Sequence, residues 1–242
     1  MAPTATWSID IWTIALQAAP ALRDLDMSAL DAQESRRLDA YVVPDAASRF
    51  AVTRLALRRL LAARGGVAPA EVSIAPGRHG KPRCETVPRG FFNVSHAGTC
   101  AVIAICARFE VGIDIEEIGH FDQSARLWTT VCSDAERAML ARDASAADRE
   151  LGRLWTRKES LLKALGTGLA RPANSLDLSA QMAATSGLIS PREDAFGDLQ
   201  HAWWRELQIS SAHLCAVAAR AEEGAGPAAI HVRAFDVAAL RR

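Results

Sequence analysis

The sequence has no excess of charge of either sign, with 28 Lys plus Arg against 28 Asp plus Glu. No long-range field therefore pulls the whole molecule toward nucleic acid or an anionic membrane, and charge-driven recognition must be local. Cys84, Cys100, Cys106, Cys132 and Cys215 form no CxxC pair and no His-spaced metal pattern. An odd number of cysteines argues against a closed disulfide framework, and a reducing cytoplasm is the expected setting. No stretch approaches the ~20 uninterrupted apolar residues of a membrane helix. The apolar run 7–16 contains Asp10 and lacks both a basic lead and a small-residue cleavage site. It reads as a strand rather than a secretory signal. There is no G-x-x-x-x-G-K-[ST] loop and no G-x-G-x-x-G after a strand. A G-x-S-x-G nucleophile elbow is also missing.

What is present is 242 residues, half of them apolar, enough for one large domain or two small ones sharing a core. Trp7, Ile9 and Ile11 alternate with polar residues in the period of a half-buried strand. Residues 28–40 read as an exposed helix ending before Pro44. Residues 46–64 read as an amphipathic helix with Phe50, Leu57, Leu60 and Leu61 on its apolar side, stopped by Gly65-Gly66. Residues 91–107 break at Gly98 and predict a hairpin, continued by a strand over 110–115. Helices are expected near 122–143 and 148–165, the second capped at Gly166-Thr-Gly168. Strands are expected at 174–179, 201–209, 213–219 and 230–237.

The two halves resemble each other. Residues 93–104 align without gaps to 208–219 with six of twelve positions identical, among them Cys100/Cys215, Ala101/Ala216 and Val102/Val217. Each half also sets a long helix before its hairpin. The expected fold is α+β, a pseudo-dimer of two similar lobes over residues 1–112 and 113–242. Each lobe is a small, mainly antiparallel sheet packed with a long helix, and the cleft between them holds the active site. Only the first copy carries His96, opposite Ser211 in the second.

Three clusters carry chemistry. In Gly112-Ile-Asp-Ile-Glu116 the alternation puts Asp114 and Glu116 on one strand face. Paired carboxylates tolerate each other when a cation or proton sits between them, and an oxygen-only donor set favours magnesium. Taken alone, the pair also fits a solvated strand face. In Trp155–Leu165, Glu159 and Lys163 are i,i+4 neighbours, either a surface ion pair or a ligand and a phosphate-facing lysine. In Asn93-Val-Ser95-His96 the serine and histidine alternate across the strand, so His96 is badly placed to activate Ser95 and a serine hydrolase is disfavoured. Both can donate to phosphate.

Taken in order, Gly80-Lys-Pro82, Phe92–His96, Gly112–Glu116, Trp155–Lys163 and Gly166–Leu169 resemble the phosphopantetheinyl transferases of the surfactin-synthetase-activating (Sfp-like) type. The resemblance implies two similar α/β lobes with coenzyme A and magnesium between them. It assigns Asp114, Glu116 and Glu159 to the metal, and Arg49, Lys81, Ser95, His96, Lys158 and Lys163 to coenzyme A. Glu159, Lys163 and His96 are the implied catalytic groups, and Arg36 and Arg37 belong to a basic set whose individual roles are open. The implied acceptor is a serine of an apo acyl or peptidyl carrier protein, with no nucleic acid or membrane partner. One chain completes the cleft, so a monomer is expected. Carrier proteins of this kind present an acidic helix, so residues 122–142, with Trp128, Val131, Met139, Arg126 and Arg137, are the expected docking patch. The competing readings are a non-catalytic coenzyme A-binding module and a magnesium-dependent phosphohydrolase.

Overall fold

The structure is a computed structural model that describes residues 7–119, 125–141, 147–190, 192–194, 197–199, 201–220 and 226–242. In chain order its main elements are β1 (Ser8–Ala15), α1 (Ala32–Asp39), α2 (Pro44–Gly65), β2 (Ile74–Pro76), β3 (Pro82–Cys84), β4 (Phe91–Ala97), β5 (Cys100–Cys106) and β6 (Val111–Glu117). They continue with α3 (Ala125–Val131), α4 (Asp134–Leu140), α5 (Ala147–Leu165), β7 (Ser186–Ile189), β8 (Arg192–Asp194), β9 (Gly197–Leu199), β10 (Ala202–Glu206), β11 (His213–Arg220) and β12 (Ala229–Ala234).

Two four-stranded sheets, ordered β12-β1-β5-β4 and β6-β11-β10-β7, pack face to face. Each lobe follows the same path of strand, long helix and hairpin: β1-α2-β4-β5, then β6-α5-β10-β11. Strand alternation builds the layers. Ile9 and Ile11 with Val102, Ala104 and Cys106 meet Val111, Ile113, Ile115, Cys215 and Val217 between the sheets. Ile14, Ala101, Ile103 and Ile105 on the opposite face pack under α2. On the far side Ala202, Trp204 and Ala218 pack under α5. The α+β pseudo-dimer expected from the sequence is the observed architecture.

The internal repeat is half correct. Residues 100–104 and 215–219 fall on β5 and β11, the same strand of each sheet. Upstream, Asn93–Ala97 is strand β4, whereas residues 208–212 lie in the connection between β10 and β11. Asn93 sits opposite Ala104, and it is Trp203 that sits opposite Ala219. The hairpin connection is longer in the second lobe, so the ungapped match fails beyond the strand. A division between residues 112 and 113 falls inside β6, and β12 returns to pair in parallel with β1 of the first sheet.

Other expectations need correction. Residues 174–179 form no strand: Leu176 and Leu178 are buried with a strand's period, but Ser175 Oγ donates to Pro172 O and Asp177 accepts from Ser179 N, holding two tight turns. Helix α2 is not cleanly amphipathic, because Ala51, Val52, Leu55, Ala56 and even Arg58 are buried, while Phe50 and Leu60 are only partly so. Helix α1 is not merely a surface element. Its Glu34 is buried and accepts from Arg58 Nε at 2.6 Å, with Asp31 taking Nη2 at 2.8 Å. The expected helix over 122–143 appears as α3 and α4, broken where Ser133 and Glu136 form a capping box; residues 122–124, 142 and 143 lie outside the described residues. Strands β2, β3, β7, β8 and β9 are too short to show a period in the sequence.

Candidate active site

Asp114 lies where the lobes meet. Gly112, two residues earlier, lets α5 press onto β6: a Cβ there would stand 2.0 Å from Ser160 O and 2.5 Å from Ala164 N. This approach carries Lys163 over the strand, and its Nζ donates to Asp114 Oδ1 at 2.6 Å and to Ile113 O at 3.2 Å. From the first lobe, Ser95 Oγ donates to the same Oδ1 at 2.9 Å. Asn93 Oδ1 accepts the Ile113 N–H at 2.9 Å, clamping β4 to β6. Asn93 and Ser95 therefore point at the second lobe, while Val94 packs toward α2 and exposed His96 shares its side. Glu116 accepts from Trp155 Nε1 at 3.0 Å, which ties the second carboxylate of the strand to α5.

A cavity of about 520 Å³ opens beside this junction. Arg49, Ser95, His96 and Lys163 line it, and so does Arg37, whereas Arg36 is not among the lining residues. Phe50 forms part of the wall with the Arg37 guanidinium 5.0 Å and the Arg54 guanidinium 5.8 Å from its ring, and Tyr41 at 5.5 Å. The sequence assigns no ligand contact to Arg54, Phe50, Asn93 or Trp155 individually.

Two expected coenzyme A contacts are placed otherwise. Lys158 is fully buried on another side of α5, where Nζ donates to Glu136 Oε2 at 2.5 Å and to Val131 O at 2.7 Å. Five residues of helix rotate a side chain by about 140°, so Lys158 and Lys163 cannot face one ligand. Lys81 donates to Glu110 at 2.5 Å and to Val111 O at 2.9 Å, holding the segment before β3 against the start of β6. In the expected docking patch Glu136 is buried with Lys158, Met139 is exposed, and Arg137 pairs with Asp134.

Residues 110–218 match the family model of the 4′-phosphopantetheinyl transferase superfamily. Residues 19–108 match the model described as 4′-phosphopantetheinyl transferase, N-terminal. The 4′-phosphopantetheinyl transferase HetI of Nostoc sp. is 31% identical over 175 residues, covering 67% of this chain and 70% of that protein. The chain belongs to the 4′-phosphopantetheinyl transferase superfamily. A Bacillus subtilis 4′-phosphopantetheinyl transferase is 29% identical over 158 residues, 64% of this chain and 68% of that protein. The human L-aminoadipate-semialdehyde dehydrogenase-phosphopantetheinyl transferase is 25% identical over 218 residues, 83% of this chain and 70% of that protein.

The electrostatics of this superfamily member set its carboxylates apart from ordinary surface acids. Burial raises the Asp114 carboxyl above its usual range, and the Lys163 ammonium opposes that shift without cancelling it. Burial also raises Glu159; Asp114 and Glu116 push in the same direction, and Lys163 pulls against them. Asp114 Oδ2 and Glu159 Oε1 are buried with no hydrogen-bond partner among the described residues. No group of three His, Cys, Asp or Glu side chains is gathered in metal-ligating fashion among those residues. The two unpartnered anionic oxygens nevertheless fit the chemistry of a hard divalent cation, which takes carboxylate oxygens and retains sites for phosphate. Burial lowers Lys158 and Lys81, each opposed by its carboxylate partner.

Proposed function

We propose that this chain transfers the 4′-phosphopantetheine group of coenzyme A to a serine of an apo acyl or peptidyl carrier protein, with 3′,5′-adenosine bisphosphate leaving. The observation that carries this reading is the junction of unlike walls. Arginines Arg37 and Arg49 stand with Ser95, His96 and Lys163 around one cavity, and Asp114, with an unpartnered carboxylate oxygen, is bound to Lys163. Membership of the superfamily supports it.

The nucleophile in this reaction is a neutral serine hydroxyl, which needs a base. Glu159 is assigned that role, its buried Oε1 having no hydrogen-bond partner among the described residues. Lys163 and His96 donate toward the phosphate oxygens on which charge grows as the bond to the leaving group breaks. Ser95, already bound to Asp114, turns the first lobe's strand toward the second lobe's carboxylate. Arg37 and Arg49 hold the phosphates of the adenosine half. Asp114, Glu116 and Glu159 are the residues assigned to magnesium, which when bound supplies positive charge against the pyrophosphate.

The test is intact-protein mass spectrometry of apo carrier proteins incubated with this protein, coenzyme A and magnesium, beside an EDTA control. A metal-dependent gain of one phosphopantetheine group is expected. Coenzyme A bound but unconsumed across several carrier types would replace this reading with a binding module. Coenzyme A cleaved without transfer would replace it with a phosphohydrolase.

A further inference from the structure

Thr53 lies on α2 one turn beyond Arg49 and one turn before Leu57, and all three line the cavity. Its residue is 7% exposed, yet its hydroxyl has no hydrogen-bond partner among the described residues. A helical threonine commonly satisfies its hydroxyl on the carbonyl one turn back, and this one does not. Arg54 beside it is incomplete in the same way: Nε faces Glu34 at 3.3 Å, while Nη1 is buried without a partner. Two adjacent residues on the cavity wall thus hold a hydroxyl and an N–H donor that the described residues leave unused.

We infer that Thr53 is a specificity-determining residue that hydrogen-bonds the nucleobase edge of the ligand in the cleft; the inference rests on the coenzyme A reading given above. The neighbouring side chains select that half of the ligand. Leu57, Pro82, Phe92 and Val94 supply apolar surface for the faces of a planar heterocycle, and Arg37 and Arg49 supply charge for phosphates. The pantetheine arm is uncharged and has no use for the two guanidinium groups. Adenosine 3′,5′-bisphosphate carries both the ring and the anionic groups, so it is the part of coenzyme A that meets this wall. A hydroxyl both donates and accepts, as the edge of a purine does. A site that holds its buried hydroxyl ready for such an edge discriminates strongly against ligands that lack it.

Calorimetric titration of the wild type, Thr53→Val and Thr53→Ser with coenzyme A and with 3′,5′-adenosine bisphosphate tests this. Valine keeps the shape and β-branching of threonine and removes a hydroxyl that has no partner among the described residues, so the free Thr53→Val protein should melt at or above the wild-type temperature. Thr53→Val should weaken both ligands by about 3- to 10-fold, and Thr53→Ser should stay near the wild type. Wild-type affinity for both ligands in Thr53→Val overturns this inference alone. A loss seen with coenzyme A but not with adenosine bisphosphate moves the contact to the pantetheine arm and also overturns it. A wild type that binds neither ligand overturns the coenzyme A reading and this inference together.

Discussion

The two lobes share a path but not a purpose, and strand register shows where they part. Ala101 and Ala216 are equivalent positions; Ile14 sits opposite the first and Asp114 opposite the second. Ile14 is fully buried beneath α2. The same place in the second lobe holds the carboxylate that meets Lys163 and Ser95. By the same register Trp12 corresponds to Gly112, so the first lobe fills with a ring the space that the second closes by pressing its helix down. On the other side of the hairpin His96 corresponds to Glu206. Glu206 is fixed by Arg153 and Arg157, and β10 is covered by β7. Among the described residues no strand covers β4 at His96, which lines the cavity. A duplicated unit gains a site when one copy gives up core on the strand and the other gives up cover at the edge.

Removing the carboxylate that distinguishes the second lobe should have the largest effect. Asp114→Ala should reduce carrier modification by about 10³-fold or more, while coenzyme A binding through Arg37 and Arg49 partly survives. Wild-type turnover by this variant at low magnesium would sink the assignment of Asp114 to the metal. A second comparison concerns the buried cations of the two helices. Among the described residues Glu136 is the one carboxylate that pairs with Lys158, so Glu136→Ala should cost about 3–5 kcal/mol in urea unfolding. Arg58 in the first lobe keeps Asp31 and the Val72 carbonyl when Glu34 is removed, so Glu34→Ala should cost clearly less. Equal losses would break the contrast. Glu159→Gln should lower kcat by about 10²-fold with little change in KM, since shape remains and basicity goes. A change confined to KM would argue against the base role.

The smallest expected effect is on pH dependence. Burial raises both Asp114 and Glu159, so in the metal-free protein the folded state binds these protons more tightly than the unfolded chain does. Their contribution to stability therefore grows as pH falls through the raised folded values and levels off below the ordinary carboxylate range. Melting curves in EDTA should show this rise, and Asp114→Asn with Glu159→Gln should flatten it. A wild-type curve indistinguishable from the double variant would show that burial leaves neither carboxyl raised.

The parts legible in the sequence are those whose partners lie on one element. Alternation along residues 112–116 places Asp114 and Glu116 on one strand face, which the fold turns to α5, and the i,i+4 spacing of Glu159 and Lys163 places both on one helix face. Lys158 was misread because its partner, Glu136, lies on another helix, although the rotation between Lys158 and Lys163 already separated their directions. The Lys81–Glu110 pair is hidden in the sequence for a similar reason, since Glu110 meets Lys81 only after β3 and β6 are assembled. The wall of Arg37, Phe50, Thr53 and Arg54 has no motif at all. It exists because Glu34 on α1 binds Arg54 and Arg58 on α2, and Asp31 at the N-cap of α1 also binds Arg58, which sets the two helices side by side. A period-two count cannot show an unused hydroxyl, because that is a property of what the folded chain fails to offer it.

The parallel pairing of β12 with β1 bears on the order in which the molecule is made. Ser8 lies beside Ala229 and Thr13 beside Ala234, and Val237 and Leu240 complete the core beneath α2. During synthesis the first lobe must therefore wait, its β1 edge open and its core unsealed, until residues 229–240 have left the ribosome. The second lobe's sheet is finished sooner, since β6, β7, β10 and β11 all emerge before residue 221. The lobe that leads in chain order closes last, and long-range strand pairing of this kind forms slowly and leaves an edge exposed while the chain grows.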